Sequence, residues 1–327
     1  MTLLNRLLGL NLDPSKETPP SNNLILLGAA INIHNDHIEA SLPLKKRNDL
    51  SHDIREVLRR DQLSPAQAAK LRGRLGWAQS LLFGRFGRAH LAPLTERQYS
   101  LNPSSRQALN SDIRCTLQWW LEMLRSPTPR KVLFRQDKPT LVYSDACGAG
   151  HLGAMVFVGG VRTIVHTHVP AWLAAEANIF ELEQAGTILG LLTAREVRPG
   201  PFVVLGCDNF GASGAIIRGS AGTVLGRQMS AVFWAAAARS STGVWVESVL
   251  GKLNPADPPS RICEMLDDKS QVEGVTNGPP LSFIEIFRTK ESFLKAQYYF
   301  NSTMTGFGDA FPCLEKPSQT TDTKSRD

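Results

Sequence analysis

The sequence of residues 141–169 is LVYSDACGAGHLGAMVFVGGVRTIVHTHV, and it decides the fold of the second half of the chain. It begins with LVYSDA, a short apolar run that is typical of a buried strand. Two further strand-like segments, HLGAMVFV at 151–158 and VRTIVHTHV at 161–169, flank Gly159-Gly160. A glycine pair between two such segments favours a tight hairpin turn. We therefore predict three consecutive strands here.

Helical and strand patterns alternate after this hairpin. A long helix is predicted from about Ile179 to Glu196, and FVVLGCD at 202–208 is typical of another buried strand. Two helices, about Asn209–Ile217 and Val224–Arg239, precede a last strand, GVWVESVL, at 243–250. The order β-β-β-α-β-α-α-β predicts an α/β fold with parallel pairing wherever a helix crosses over between strands.

Four acidic residues lie where these elements end or face one another. Asp145 ends the first strand, Asp208 ends the fourth, Asp257 follows the fifth, and Glu183 lies on the first long helix. In open α/β sheets, sites form at the carboxyl ends of neighbouring strands. Carboxylates that meet there must take up protons or hold a cation. Oxygen ligands without His or Cys suit Mg²⁺ or Mn²⁺.

Each of these acids also has a structural interpretation. An Asp after a strand is often a helix cap, and Asp208-Asn209 can cap the helix that follows. Asp257 lies between two prolines, in the segment NPADPPSR, and can be a turn residue. The functional interpretation depends on the recurrence of acids at four successive elements.

Glu181 and Glu183 compete for the position on the helix. Two residues span about 200° around a helix axis, so both side chains cannot face the sheet. Glu181 follows Asn178 by three residues, which is the spacing of a capping box. Glu183 instead shares a stripe with Gly186 and Gly190, and these glycines allow close approach of the helix to the sheet. We therefore assign Glu183 to the site.

The segments that carry the four acids resemble a known family. VYSDACGAGHLGAMV, IFELEQAGTILGLL, VVLGCDNFGASGAI and LNPADPPSR are similar to the acidic motifs of a ribonuclease H domain, in the version fused to reverse transcriptases of DIRS-like and pararetroviral retroelements. Upstream, ILLGAAINI, SLPLKKRNDL and LSPAQAAKLRGRLGWAQSLLFGRFGRAHLAPL resemble the end of the palm and the thumb or connection of such a polymerase. The resemblance covers about residues 20–265.

The resemblance implies a fold, a reaction and a site. The fold would be a five-stranded mixed sheet flanked by helices, with its first three strands antiparallel, preceded by a small, mostly helical domain. The reaction would be hydrolysis of the RNA strand of an RNA–DNA hybrid, recognised through phosphates and 2′-hydroxyls. It would use two Mg²⁺ or Mn²⁺ ions roughly 4 Å apart, one for the attacking water and one for the leaving 3′-oxygen. The catalytic metal ligands would be Asp145, Glu183, Asp208 and Asp257.

The net charge of +6 is unevenly distributed. Lys45 to Arg114 contain 14 Lys and Arg against 6 Asp and Glu, a local charge of +8, whereas Pro139 to Met265 contain 8 against 9. A basic first part beside a near-neutral second part indicates a polyanionic partner, and a solvated helical surface is the alternative. The candidate nucleic-acid contacts are Lys70, Arg72, Arg74, Arg85, Arg88 and Asn209.

The chain divides into four predicted regions. Residues 1–44 would be the truncated end of a polymerase palm, and residues 45–130 a helical thumb- or connection-like region. Residues 139–265 would be the ribonuclease H-like domain, and residues 266–327 a partly disordered extension that ends in the polar EKPSQTTDTKSRD.

Local signals predict the elements of the outer regions. Two strands are predicted at 24–33 and 37–44, and caps at Ser51 and at Ser64-Pro65 each begin a helix. A further helix over 104–125 precedes SPTPRK, a predicted linker, and LSFIEIFRTKESFLKAQYYF at 281–300 favours one helix.

Several classes of protein are excluded or disfavoured. No apolar run reaches the length of a membrane span, and the start of the chain lacks a signal-peptide cleavage site. Five scattered cysteines without CxxC are typical of a reducing compartment, so we expect an intracellular protein, cytoplasmic or nuclear. The Tyr-x-Asp-Asp motif of polymerases is absent, so we expect no polymerase activity in this chain, and a polymerase domain missing from it is a candidate partner. Many ribonuclease H enzymes carry a His before the last Asp, where it assists product release. No His lies between Asp208 and Asp257, so this chain lacks that residue.

Three functions remain open from the sequence. The first is a metal-dependent ribonuclease H, and the second is a catalytically inactive nucleic-acid-binding relic of a retroelement. The third is another nuclease or transposase on the same fold, which would place its last acid on a late helix and lack the acid on the first. The presence of all four acids favours the first function over the second. Glu183 and the Asn-Pro-Ala-Asp context of Asp257 favour it over the third.

Overall fold

The computed structural model describes residues 21–100, 108–134, 138–200, 202–261 and 275–298. Two predictions concern residues outside these ranges. They are the lack of a signal peptide at the start of the chain and the disorder of residues 315–327. Within them, no helix combines the length and the apolarity that crossing a bilayer requires.

A four-stranded antiparallel sheet joins the start of the described chain to a much later strand. Its strands, in spatial order, are β1 (Asn23–Leu26), β2 (Ala29–Ile33), β3 (His37–Ser41) and β4 (Arg130–Leu133). The prediction of one strand over 24–33 was wrong, because Leu27 and Gly28 have left-handed backbone with φ of 49° and 82° and turn the chain into a hairpin. The linker prediction was wrong for Arg130 and Lys131, because they pair with β3.

Four α-helices lie in the described residues between β3 and β4. They are α1 (Leu44–Arg60), α2 (Pro65–Ser80), α3 (Ala92–Gln98) and α4 (Ser111–Arg125). The cap predicted at Ser51 was wrong, because α1 begins seven residues earlier and buries Leu50 and Ile54 on one face across that position. The cap at Ser64 is confirmed. Its hydroxyl accepts the N–H of Gln67, whose side chain accepts the N–H of Ser64 in return.

Helix α4 starts later than predicted. The side chain of Asn110 accepts the N–H of Ile113 at 2.9 Å and caps the helix there. Residues 104–107 of the predicted helix lie outside the described ranges. The helix buries Trp119 and Trp120, whose rings pack edge-to-face in the core of the helical region.

The second sheet has six strands. They are β5 (Thr140–Ala146), β6 (His151–Val158), β7 (Val161–His168), β8 (Phe202–Cys207), β9 (Gly243–Ser248) and β10 (Val275–Asn277), in the spatial order β10-β7-β6-β5-β8-β9. Strands β5, β6 and β7 are antiparallel to one another, and β8 and β9 continue the sheet parallel to β5. The predicted five-stranded mixed sheet flanked by helices is confirmed and is compatible with a ribonuclease H-like fold. β10, parallel to β7, is an unpredicted sixth strand.

Five helices accompany this sheet: α5 (Ala171–Glu176), α6 (Ile179–Val197), α7 (Phe210–Arg218), α8 (Val224–Arg239) and α9 (Asp257–Ser260). Helix α6 is almost entirely buried, because it contacts β5 and β6 on one side and α8 on the other. A Cβ at Gly186 would lie 3.2 Å from the carbonyl oxygen of Asp145, and one at Gly190 would lie 2.8 Å from a methyl group of Val142. The predicted close approach of this helix to the sheet is therefore confirmed.

The described part of the C-terminal extension, residues 275–298, contains two helices rather than the predicted one. They are α10 (Leu281–Phe287) and α11 (Lys290–Ala296), and they are separate because Thr289 caps the second with its side chain. Phe283, Phe287 and Phe293 are buried, and the two helices contact α6 and α8. The extension therefore completes the core on one face of the second sheet.

Candidate active site

The ends of two adjacent strands bring Asp145 and Asp208 together. β5 and β8 are parallel neighbours with Ser144 opposite Cys207, so the next residue on each strand is one of the two acids. Asp145 is only 4% exposed, and Asp208 lies just beyond the end of β8. The predicted meeting of these carboxylates at one edge of the sheet therefore occurs.

Helix α6 contributes a third carboxylate to the same place. Glu183 is 5% exposed, and its carboxylate accepts a hydrogen bond from the backbone of Ala146 at the end of β5. One carboxylate oxygen each of Glu183 and Asp208 and the sulphur of Cys207 lie within 4.8 Å of one another. The thiol of Cys207 donates to Oε2 of Glu183 at 3.9 Å.

Glu181 has the capping role that its spacing predicts. Its Oε2 accepts the N–H of Asn178 at 3.1 Å, and its Oε1 accepts the hydroxyl of Thr223 at 2.6 Å. Both oxygens are therefore directed at the N-terminal end of α6 and at the segment before α8, away from the acid cluster. The structure therefore places Glu183, and not Glu181, beside Asp145 and Asp208.

The fourth acid, Asp257, begins α9. Its carboxylate pairs with Arg261 at 2.8 Å, and it lies close enough to Asp145 for its charge to raise the pKa of that residue. The hydroxyl of Ser260, one turn later, hydrogen bonds to Oδ2 of Asp145. The amide of Asn254 donates to the carbonyl of Ser144 at 3.0 Å and to Oδ1 of Asp145 at 3.4 Å.

Burial and mutual repulsion change the protonation of the cluster. Burial raises the pKa of Glu183 to about 9, and the charges of Asp145 and Asp208 add to the effect. Burial raises the pKa of Asp145 to about 6, while the hydrogen bond from Ser260 opposes the rise. Without a cation, Glu183 is therefore protonated at neutral pH.

The donor set fits a hard divalent cation. Asp145, Glu183 and Asp208 offer carboxylate oxygens, which Mg²⁺ and Mn²⁺ prefer. Burial and the charge of Glu183 raise the pKa of the Cys207 thiol, so it stays protonated and is a poor metal ligand. A bound cation would also offset the burial and the repulsion that together keep Glu183 protonated.

Comparison with solved structures finds a distant structural likeness, whereas comparison by sequence finds none. No protein-family model matches this sequence, and no curated protein matches it. A solved structure of a foamy viral protease-reverse transcriptase in complex with an RNA/DNA hybrid is similar to this chain with a TM-score of 0.32 and 10% sequence identity. The match covers 78% of this chain and 34% of the other, so this chain spans about a third of that protein's length.

Four residues around the acids were not predicted. They are Cys207, Asn254, Ser260 and Arg261, which contact Glu183, Asp145 or Asp257. Three of them lie in LNPADPPSR, the segment that supplied Asp257, and their polar side chains beside a predicted ligand were the available signal. Cys207 directly precedes Asp208, but on a buried strand a cysteine is usually a packing residue.

The candidate nucleic-acid contacts lie in different surroundings. On α2, Arg72 donates to the hydroxyl of Thr95 at 2.8 Å and Arg74 pairs with Asp53, while Lys70 lines a groove between α1 and α2. Arg85 and Arg88 line a second groove, at the end of α7. Asn209 caps α7, because its Oδ1 accepts the N–H of Ala212 at 3.0 Å. The nucleic-acid contacts of all six residues stay predictions.

Proposed function

We propose that this chain is a metal-dependent endonuclease that hydrolyses the RNA strand of RNA–DNA hybrids. One observation carries the proposal: acids from four separate elements converge at the end of β5. Two of them are almost fully buried, which is unfavourable for carboxylates unless a charged partner joins them. The carboxylates are Asp145, Glu183, Asp208 and Asp257.

The residues of the cluster would divide the work of holding the ions. Asp145, Glu183 and Asp208 would bind them from the strand ends and the helix, and Asp257 would bind from the more exposed side. When bound, two Mg²⁺ or Mn²⁺ ions would supply an activated water and stabilise charge on the leaving oxygen. The protein's own contribution would be to position the phosphodiester and to exclude other ligands.

Two neighbouring side chains would position Asp145. Asn254 and Ser260 each donate a hydrogen bond to one of its oxygens, so together they hold the carboxylate in one orientation. Such outer partners orient the ligands of a metal site and tune their affinity. Asn254 and Ser260 are positioning residues, because they act through Asp145.

The proposal is tested by comparing labelled substrates with the purified chain. We expect cleavage of the RNA strand of an RNA–DNA hybrid in the presence of Mg²⁺ or Mn²⁺, none in EDTA, and much slower cleavage of single-stranded RNA and duplex DNA. No cleavage of the hybrid with either metal would contradict the proposed activity. Equal cleavage of all three substrates would contradict the proposed specificity.

A second candidate function is nucleic-acid binding without cleavage. It is favoured by the exposed side chains of Arg85 and Arg88, which can contact the phosphates of a strand without any metal. Salt-sensitive binding of the hybrid without turnover in either metal would select this function. The sequence lacks the Tyr-x-Asp-Asp motif, so these residues are not expected to polymerise nucleotides.

The approach of α9 to β6 gives a prediction for this site. A Cβ at Gly153 would lie 2.5 Å from the backbone nitrogen of Ser260 and 2.8 Å from the carbonyl oxygen of Ala256. We expect Gly153→Ala to push α9 from the sheet, to cost about 1–3 kcal/mol of stability and to slow hybrid cleavage. A matched control is Gly148→Ala, because a Cβ at Gly148 would meet nothing within 4 Å.

Thermal unfolding and initial cleavage rates of the two variants check this prediction. The Gly148→Ala variant should behave like the wild type in both assays. Unchanged stability and activity of Gly153→Ala would show that α9 does not need its close contact with β6.

A further inference from the structure

We propose that a groove between α2 and the end of α7 binds a backbone phosphate of a nucleic-acid strand. The groove has a volume of about 560 Å³. Its polar lining comes from the helical region and from the second sheet's helices, and includes Gln79, Arg85, Arg88, Arg218 and Ser220. We call it the arginine groove.

A buried amide without a partner lies at the wall of the arginine groove. Gln79 is 3% exposed, and its Nε2 has no hydrogen-bond partner among the residues that the structure describes. A buried donor that lacks an acceptor is unfavourable, and such groups often mark the position of a ligand. A rotation of this amide towards the groove would let a phosphate oxygen supply the missing acceptor.

The charges that line the groove are all positive. Arg85, Arg88 and Arg218 are exposed there, and no acidic side chain is among the described residues that line it. The Nε of Arg85 donates to the carbonyl of Ile217 at 3.1 Å, so this guanidinium is held in place with its other N–H groups available. Guanidinium groups bind phosphate through paired N–H donors.

A close backbone contact brings the arginines together. Gly219, the residue that ends α7, has a left-handed backbone with φ of 68°, and a Cβ there would lie 2.5 Å from Cβ of Arg85. The two parts of the chain therefore meet directly at the groove.

The position of the groove relative to the acids favours a strand over a free phosphate ion. Helix α7 begins two residues after Asp208 and ends at Arg218, which is a span of about 13 Å. At a rise of about 3.4 Å per nucleotide, this corresponds to about four steps along a strand. We infer that a hybrid held for cleavage at the acids, as under the proposed function, also places a phosphate in the groove.

Binding without divalent metal tests this inference separately from catalysis. The full-length chain is titrated in EDTA into a fluorescent RNA–DNA hybrid over a series of salt concentrations. We expect Arg88→Ala combined with Arg218→Ala to weaken binding about tenfold and to reduce the salt slope by about one per arginine removed. The control is Arg55→Ala on α1, an exposed arginine far along the sequence from the groove, which should change affinity less than twofold.

A second variant separates the amide from the charges. Gln79→Leu removes the donor but no charge, so we expect weaker binding with an unchanged salt slope. Its thermal stability should equal or exceed that of the wild type, because the variant buries no unpaired donor. Hybrids with one neutral methylphosphonate linkage at successive positions should lose affinity most at about four steps from the cleavage position.

The outcomes are distinguishable. Wild-type affinity and salt slope in both groove variants would overturn the inference. If inorganic phosphate binds in the groove but the variants keep the hybrid affinity of the wild type, the groove takes a free phosphate ion. This result would also overturn the inference. If the wild-type chain cuts no hybrid but the groove variants bind the hybrid less tightly than the wild type, the result would support the groove. It would contradict only the proposed function.

Discussion

Glu183→Gln is expected to reduce the rate of hybrid cleavage by about 10³-fold, whereas Glu181→Gln should leave it within a few-fold of the wild type. The two residues lie two positions apart on α6 and are both buried. Only Glu183 is directed at Asp208 and the end of β5, and its replacement removes one carboxylate oxygen from the proposed metal site. The amide has nearly the same shape, so the fold should survive.

Glu181→Gln controls for the loss of a buried carboxylate. The acid accepts hydrogen bonds from Asn178 and Thr223, so we expect a stability cost of about 0.5–2 kcal/mol, as for other helix caps. Initial rates at saturating Mg²⁺, measured alongside thermal unfolding, separate the two effects. Equal loss of activity in the two variants would contradict the assignment of Glu183, as would activity in Glu183→Gln.

Without divalent ions, the free energy of unfolding should fall as the pH rises from about 5 to 9. The folded protein holds the proton of Glu183 up to a pKa of about 9, whereas an unfolded glutamate releases it near about 4.3. Between these values the folded state binds more protons, so each pH unit removes up to about 1.4 kcal/mol of stability. Asp145, with a pKa of about 6, adds to the fall at the acidic end.

Denaturant unfolding in EDTA, at several pH values, measures this dependence. The Glu183→Gln variant cannot release this proton, so its stability should fall less with pH than that of the wild type. The comparison cancels other groups, such as His90, whose burial lowers its pKa to about 4. Adding Mg²⁺ should restore the wild type's stability at high pH. Identical pH dependence in the two proteins would contradict the buried, protonated state of Glu183.

Local sequence signals predicted the part of the site that depends on single elements. Asp145 and Asp208 were found because each ends an apolar strand. Glu183 was chosen because the helical period and the glycines at 186 and 190 define one face of α6. These are properties of a few neighbouring residues, so a sequence contains them directly.

Contacts between distant segments were not predictable in the same way. Ser260 reaches Asp145 because α9 packs against β6 at Gly153, more than 100 residues away in the sequence. The pairing of β4 with β3 similarly joins residues that are about 90 positions apart, and nothing near Arg130 indicates it. The backbone turn at Leu27 and Gly28 was missed because the flanking apolar residues fit one continuous strand.

The most direct test of the acid cluster is Mn²⁺ binding by the purified chain, followed by electron paramagnetic resonance or calorimetry. We expect saturable binding of two ions per chain in the wild type and in Glu181→Gln. Binding should be lost or greatly weakened in Asp145→Asn and Glu183→Gln. Titrations of these last two variants that match the wild type would contradict a divalent-metal site at these four carboxylates.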